Sequence, residues 1–156
     1  MAGVLLGATD ADLRAQSIPA ATFPVATVFS SPLRRALHTA QLLFPDQQPV
    51  ILTELAERNY GFWEGLTWDE VERSWPELAG RALVDWLGTT PPGGEPWSRV
   101  VERAVSALHR IRQAEVPIAV VAHAGINAAL AQLVAGRKPT EFRQAYLEVF
   151  TFELES

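Results

Sequence analysis

The stretch Val116 to Gly125, VPIAVVAHAG, constrains the fold more than any other part of the chain. Its run Ile118-Ala119-Val120-Val121-Ala122 is apolar without period-two alternation, the pattern of a parallel strand covered on both faces. His123 then falls at the strand's carboxyl end, and ligands of open α/β sheets bind outside the carboxyl ends of the strands. Gly125 leaves room for a group to approach the backbone, and Ile126, Ala129, Leu130 and Leu133 have the spacing of a helix that begins there. Strand, histidine, tight turn and helix together describe the corner of an anion site. The same residues also suit a histidine that merely caps a core strand, and this stretch alone does not separate the two readings.

A second corner of the same kind lies upstream. Ala26 to Ser31, ATVFSS, has β-branched and aromatic content and runs directly into SPLRRALHTAQLL. Ser31 is placed as an N-cap with Pro32 at the first helical position, and Leu33, Ala36, Leu37 and Ala40 form the apolar stripe. Arg34 and Arg35 therefore lie in the first turn, where the helix dipole disfavours cations by ~0.3–1 kcal/mol. A bound anion would remove that conflict, and so would pairing with surface carboxylates.

Between these corners, Phe44-Pro45 ends the first helix and Val50 to Leu52 reads as a short strand. The segment LAERNYGFWEGLTWDEVE then places Glu57 before a turn at Gly61, offers Trp63 as an aromatic wall, and sets Thr67 with Glu70 as a capping box. Glu57 can reach a cleft from this irregular segment, although Glu57 or Glu64 alone would read as a solvated acid. Pro76 breaks the following helical region, which resumes to about Leu87, and TTPPGGEP is a loop. From Trp97 to Ala114, the positions Val101, Ala104, Val105, Leu108 and Ile111 draw a helical stripe, which makes His109 structural. A last helix closes near Gly136, and Tyr146 to Leu154, YLEVFTFEL, reads as a final strand. Ala2 to Asp12 fits either an edge strand or a loop. Strands alternating with helices predict one α/β domain over residues 1–156, a three-layer α/β/α sandwich with a mostly parallel sheet.

Composition narrows the function. A formal charge of −5 argues against a general nucleic-acid or membrane-surface binder, so any anion site is a local pocket. The absence of cysteine excludes thiol catalysis and disulfides, and three dispersed histidines do not suggest a metal site. No apolar run approaches the ~18 residues of a membrane span, and the expected location is the cytoplasm.

Four blocks, SSPLRRALHTA (Ser30 to Ala40), LAERNYGFWEG (Leu55 to Gly65), PPGGEP (Pro91 to Pro96) with the helix holding Arg103, and VVAHAG (Val120 to Gly125), resemble the histidine phosphatase superfamily in order and spacing. This phosphoglycerate mutase-like group includes small phosphatases. The resemblance implies that Arg35 binds the phosphoryl group and Glu57 is the acid/base glutamate. His123 would hold the phosphoryl oxygens with the backbone amide of Ala124, and Arg34 would stand at a variable position. Gly7, Ala8 and Thr9 match the substrate loop. No cofactor or metal is implied; the partner is a small phosphorylated metabolite, and a homodimer is one assembly the resemblance allows. In phosphoryl transfer to an imidazole, cationic donors hold the equatorial oxygens and a carboxylic acid protonates the leaving alkoxide. Next to cations, His123 would be protonated only with a phosphate or carboxylate present.

The family's first strand, central in its sheet and ending in an Arg-His-Gly motif with the nucleophilic histidine, has no counterpart here, and His38 and His109 fall inside helices. The sequence therefore reads as truncated at its amino terminus, with two functions in view. One is a phosphomonoesterase working through phosphohistidine, with the 156 residues inactive by themselves. The other is a catalytically degenerate domain that binds a phosphorylated ligand or a protein. Within the superfamily, the compact Gly65 to Pro91 region looks most like α-ribazole phosphatases of cobalamin assembly, whereas phosphoglycerate mutase is the alternative and carries a longer insertion there. Trp68, Trp75, Trp86 and Trp97 offer stacking surface for a planar base.

Overall fold

The computed structural model describes residues 3–11, 20–145 and 147–153. Its sheet has three parallel strands in the order β2-β1-β3, formed by β1 (Thr27–Ser30), β2 (Val50–Ile51) and β3 (Ile118–Val121). Phe29 in β1 lies opposite Val50 on one side and Val120 on the other. Five α-helices accompany it among the described residues: α1 (Arg34–Leu43), α2 (Trp68–Ser74), α3 (Pro76–Val84), α4 (Trp97–Ile111) and α5 (Ala124–Ala135).

Alternation along the strands decides the layers. Val28 faces Ala40 and Phe44 of the α1 side, where Ala119 and Val121 also pack. Phe29 faces the opposite layer with Ile118 and Val120, against Val100, Ala104, Ala107 and Ile111 of α4 and Ile126 and Ala129 of α5. The result is the predicted α/β/α sandwich. A separate cluster of Trp63, Val71, Ala79 and Ala82 binds α2 and α3 beneath Trp68 and Trp86.

Several local expectations are met for the stated reasons. Thr67 and Glu70 form the capping box of α2, Pro76 opens α3, and Gly136 ends α5 at φ 63°. Leu5 exchanges backbone hydrogen bonds with Leu66 (2.9 Å) and Gly65 (2.7 Å), so the Ala2 to Asp12 segment is part bridge and part turn, with Ala2 and Asp12 outside the described residues.

Four expectations are corrected. β3 is only half-buried along its length, because its second edge has no strand beside it among the described residues. Residues 147–153 form no strand, while Tyr146 and Leu154 lie outside the described residues. Phe150 and Phe152 in that segment instead carry the Arg137 guanidinium at 5.4 Å from each ring. α3 stops at Val84 rather than Leu87, since Asp85 turns the chain by accepting from Gly88 N at 2.9 Å. α1 starts at Arg34, and Ser31 is not its N-cap. No helix among the described residues is long and apolar enough to cross a membrane.

Candidate active site

Glu57 sits in the irregular stretch after β2 and is 9% exposed. Its carboxylate accepts from Arg58 N at 2.8 Å and from Gly125 N, in the first turn of α5, at 3.0 Å. An anion at a helix N-terminus is favourable both for the unpaired amides and for the dipole. A Cβ on residue 125 would stand 2.3 Å from Glu57 Oε1, so glycine is what lets the carboxylate reach this helix end. The room read at Gly125 is filled by a side chain of the chain itself.

His123 precedes α5 and is equally buried. Its Nε2 is 2.7 Å from Ser31 Oγ, which also accepts from Leu33 N at 3.2 Å. Ser31 thus orients the imidazole and shapes the approach to α1 instead of capping it. Burial, followed by the charges of Arg35 and Arg103, pushes the His123 imidazole down to about 3. The ring is neutral while no anion lies between it and the two arginines. Ala124, as the first residue of α5, presents its backbone amide at the same corner.

The two arginines at the start of α1 have different partners. Asp10 accepts from Arg34 N at 2.7 Å and from Arg34 Nε at 3.2 Å, so this carboxylate takes the capping place expected for Ser31. Arg35 donates from Nη1 to Thr9 O and from Nη2 to Gly7 O, each at 2.7 Å. Glu64 braces the same loop, accepting from Ala8 N (2.9 Å), Tyr60 N (3.0 Å) and the Thr9 hydroxyl. It is a hub and not the solvated acid its isolated position suggests. Gly7 has φ +46°, and a Cβ there would lie 2.6 Å from Glu64 Oε1 and 2.9 Å from Arg58 O. Gly7 and Thr9 are therefore tied to Arg35, as a loop beside an anion site would be.

An open cleft of about 360 Å³ reaches Glu57 and Ala8 and is bounded by Asn59, Gly94, Glu95 and Arg103. Arg103 of α4 donates to both Glu95 oxygens at 2.8 and 2.9 Å, and through Nη1 to Glu54 O (2.6 Å) and Ala56 O (2.9 Å). Burial raises the Glu95 carboxyl, yet the hydrogen bonds and charge of Arg103 prevail and hold it below the usual carboxylate value. The structure brings Arg35, Glu57, His123, Ala124, Gly7 and Thr9 to one end of the sheet, and adds Ser31, Glu64, Glu95 and Arg103, which the sequence did not single out as site residues. Ser31 and Glu95 were marked only by their Ser-Pro and Gly-Glu punctuation, Glu64 read as a solvated acid, and Arg103 was named only through its helix.

The tryptophans do not serve this site as expected. Trp63 is fully buried with its indole N–H unpartnered, and is no cleft wall. Trp68 and Trp86 pack edge-on within that cluster, with Trp75 at its margin, while Trp97 packs against the α4–α5 core. His38 and His109 lie exposed on α1 and α4. Among the described residues no group of three or more His, Cys, Asp or Glu side chains is placed to hold a metal.

The family model described as the histidine phosphatase superfamily (branch 1) matches residues 6–153. The chain belongs to that superfamily. Among its relatives, glucosyl-3-phosphoglycerate phosphatase of Mycolicibacterium vanbaalenii is 35% identical over 70% of this chain and 53% of its own. Adenosylcobalamin/alpha-ribazole phosphatase of Escherichia coli is 33% identical over 70% of this chain and 56% of its own. The chain thus spans about half the length of these curated relatives, and 24% of a mycobacterial protein 42% identical over 91 residues. The crystal structure of the alpha-ribazole phosphatase from Shigella flexneri shares the fold with a TM-score of 0.77 at 24% identity, covering 90% of this chain and 75% of that one.

Proposed function

We propose that this histidine phosphatase domain binds and hydrolyses the phosphate monoester of a small metabolite. The observation that carries the reading is the convergence of Glu57 and His123 on the first turn of α5 within the field of Arg35. In this reading Arg35, the Ala124 amide and a His123 protonated by the arriving anion hold the phosphoryl oxygens. Glu57, as the acid, gives its proton to the alcohol oxygen as the P–O bond breaks and an imidazole nitrogen takes the phosphorus. As carboxylate it then removes a proton from water, which attacks phosphorus and breaks the P–N bond, releasing phosphate. The resemblance assigns the nucleophilic imidazole to an Arg-His-Gly segment, which does not occur in the 156 residues. Turnover is accordingly assigned to this domain carrying such a segment, and ester binding to the residues in hand. An α-ribazole 5′-phosphate is a candidate substrate, supported by the named relatives.

A second reading, a domain that binds phosphorylated ligands without turning them over, rests on the same Arg35 and His123 corner. Phosphate release from ribose 5-phosphate separates the two, measured with the residues encoded in frame upstream of Met1 included. Release that falls at least about a hundredfold in the His123→Ala variant supports the phosphatase. Equal rates in both proteins remove the role given to His123, and no release with retained phosphate binding favours the binding domain.

A further inference from the structure

Resting on the phosphatase reading, we infer that the cleft beside Glu57 takes a neutral, hydroxyl-bearing alcohol such as a sugar, and discriminates against aryl and carboxylate-bearing esters. Glu57 is the one proposed catalytic side chain that lines this cleft, which is bounded by neither His123 nor Arg35. An acid that protonates the departing oxygen must touch it, so the alcohol portion of the ester lies on the cleft side of Glu57. The volume of about 360 Å³ suits a small leaving group.

The chemistry of the walls sets its class. Arg103 uses both Nη1 hydrogens on Glu54 O and Ala56 O, and its Nε and one Nη2 hydrogen on Glu95, which leaves one Nη2 hydrogen. Asn59, which lines the cleft, uses its Oδ1 to accept from Gly61 N at 2.6 Å, so that bond occupies neither of its amide hydrogens. Glu57 and Glu95 supply acceptor lone pairs. Donors and acceptors thus face the same space, and a hydroxyl group, which both donates and accepts, satisfies them. A second anionic group would meet the Glu95 carboxylate and an arginine already neutralised by it. A bare aromatic ring would find no ring to stack on, because none lines the cleft, and it would cover these polar groups without pairing them.

Calorimetric binding to the full chain tests this with four probes: inorganic phosphate, ribose 5-phosphate, phenyl phosphate and 3-phosphoglycerate. The expected result is ribose 5-phosphate bound about fivefold or more tighter than phosphate, with the other two esters bound no tighter than phosphate. The Asn59→Asp variant keeps an acceptor for Gly61 N but loses the donors, and is expected to abolish the preference, with circular dichroism confirming its fold. Phenyl phosphate or 3-phosphoglycerate binding as tightly as ribose 5-phosphate overturns the inference and leaves the phosphatase reading intact. Retention of the full preference by Asn59→Asp also overturns it. Failure of every probe, phosphate included, overturns the phosphatase reading and this inference with it.

Discussion

At the scale of single residues, the contact between Glu57 and Gly125 is the most exacting in the site. Replacing Gly125 with alanine puts a methyl 2.3 Å from Glu57 Oε1, so the carboxylate must give up the Gly125 amide. The charge-assisted hydrogen bond so lost contributes ~1.5–3 kcal/mol, which outweighs the few tenths to ~1 kcal/mol that alanine returns in helix propensity. Urea denaturation of Gly125→Ala should show a net loss of about 1–2 kcal/mol, and unchanged stability would mean that Glu57 moves away freely. His123 makes a different prediction. Its imidazole, held down to about 3 without an anion, rises toward its ordinary value when an anion binds between it and Arg35, so binding takes up a proton. Affinity for sulfate, whose charge is constant over the range, should therefore increase as pH falls from 7.5 to about 5.5, by at most tenfold per unit. His123→Ala should flatten the profile, and a flat wild-type profile would show that the ring does not face the anion. Glu57, Arg35 and His123 were singled out in the sequence as candidates because each matches a functional position in the motif blocks that resemble the superfamily. Glu64 and Arg103 were not, since their partners, Ala8 and Glu95, come from segments whose proximity only the fold creates.

Among the elements, legibility followed how local the determining interaction is. The capping box of α2 involves residues three apart, and both of its hydrogen bonds form, Glu70 accepting from Thr67 N at 2.8 Å. Thr67→Ala should cost about 1 kcal/mol in a denaturation titration; no loss would mean that the Val4–Thr67 bridge and the tryptophan cluster hold α2 unaided. The start of α1 was misread by two residues because its cap, Asp10, comes from a distant loop while Ser31 bonds His123. The partial alternation of Tyr146 to Leu154 matches burial within residues 149–153, where Phe150 and Phe152 are half-buried and Val149, Thr151 and Glu153 exposed. It did not foretell pairing, because a ladder needs a neighbouring strand and alternation reports only a face. The same reason explains β3, whose apolar run promised cover on both faces but could not reveal an open edge.

Across the whole molecule, the sandwich core and the tryptophan cluster around α2 and α3 are joined beside the candidate site by a buried cation, Arg58. Arg58 is 1% exposed, and no carboxylate among the described residues pairs with its guanidinium. It donates instead to three carbonyls, Glu95 O (2.8 Å), Trp86 O (3.2 Å) and Thr89 O (2.8 Å), which pins the segment after α3 and the cleft loop to the residue following Glu57. Burial lowers its pKa against the raising influence of Tyr60, Glu95 and Glu57, so the charge persists because the oxygen dipoles replace water around it. Methionine at this position fills similar volume and removes the buried charge, but leaves the buried Thr89 carbonyl and the part-buried Glu95 and Trp86 carbonyls without their donor. The relief of desolvation is then set against three unmade hydrogen bonds, each costing ~1–3 kcal/mol when the acceptor stays buried. The acceptors should prevail, giving Arg58→Met a loss of about 3 kcal/mol. Arg58→Lys, with a charge but no planar fork, should fall between it and wild type. Intrinsic tryptophan fluorescence during urea unfolding reads this directly, because Trp63 and Trp86 belong to the cluster that Arg58 anchors. If Arg58→Met unfolds at the wild-type urea concentration, the two clusters are held together by apolar contact alone and the cleft loop does not depend on this residue.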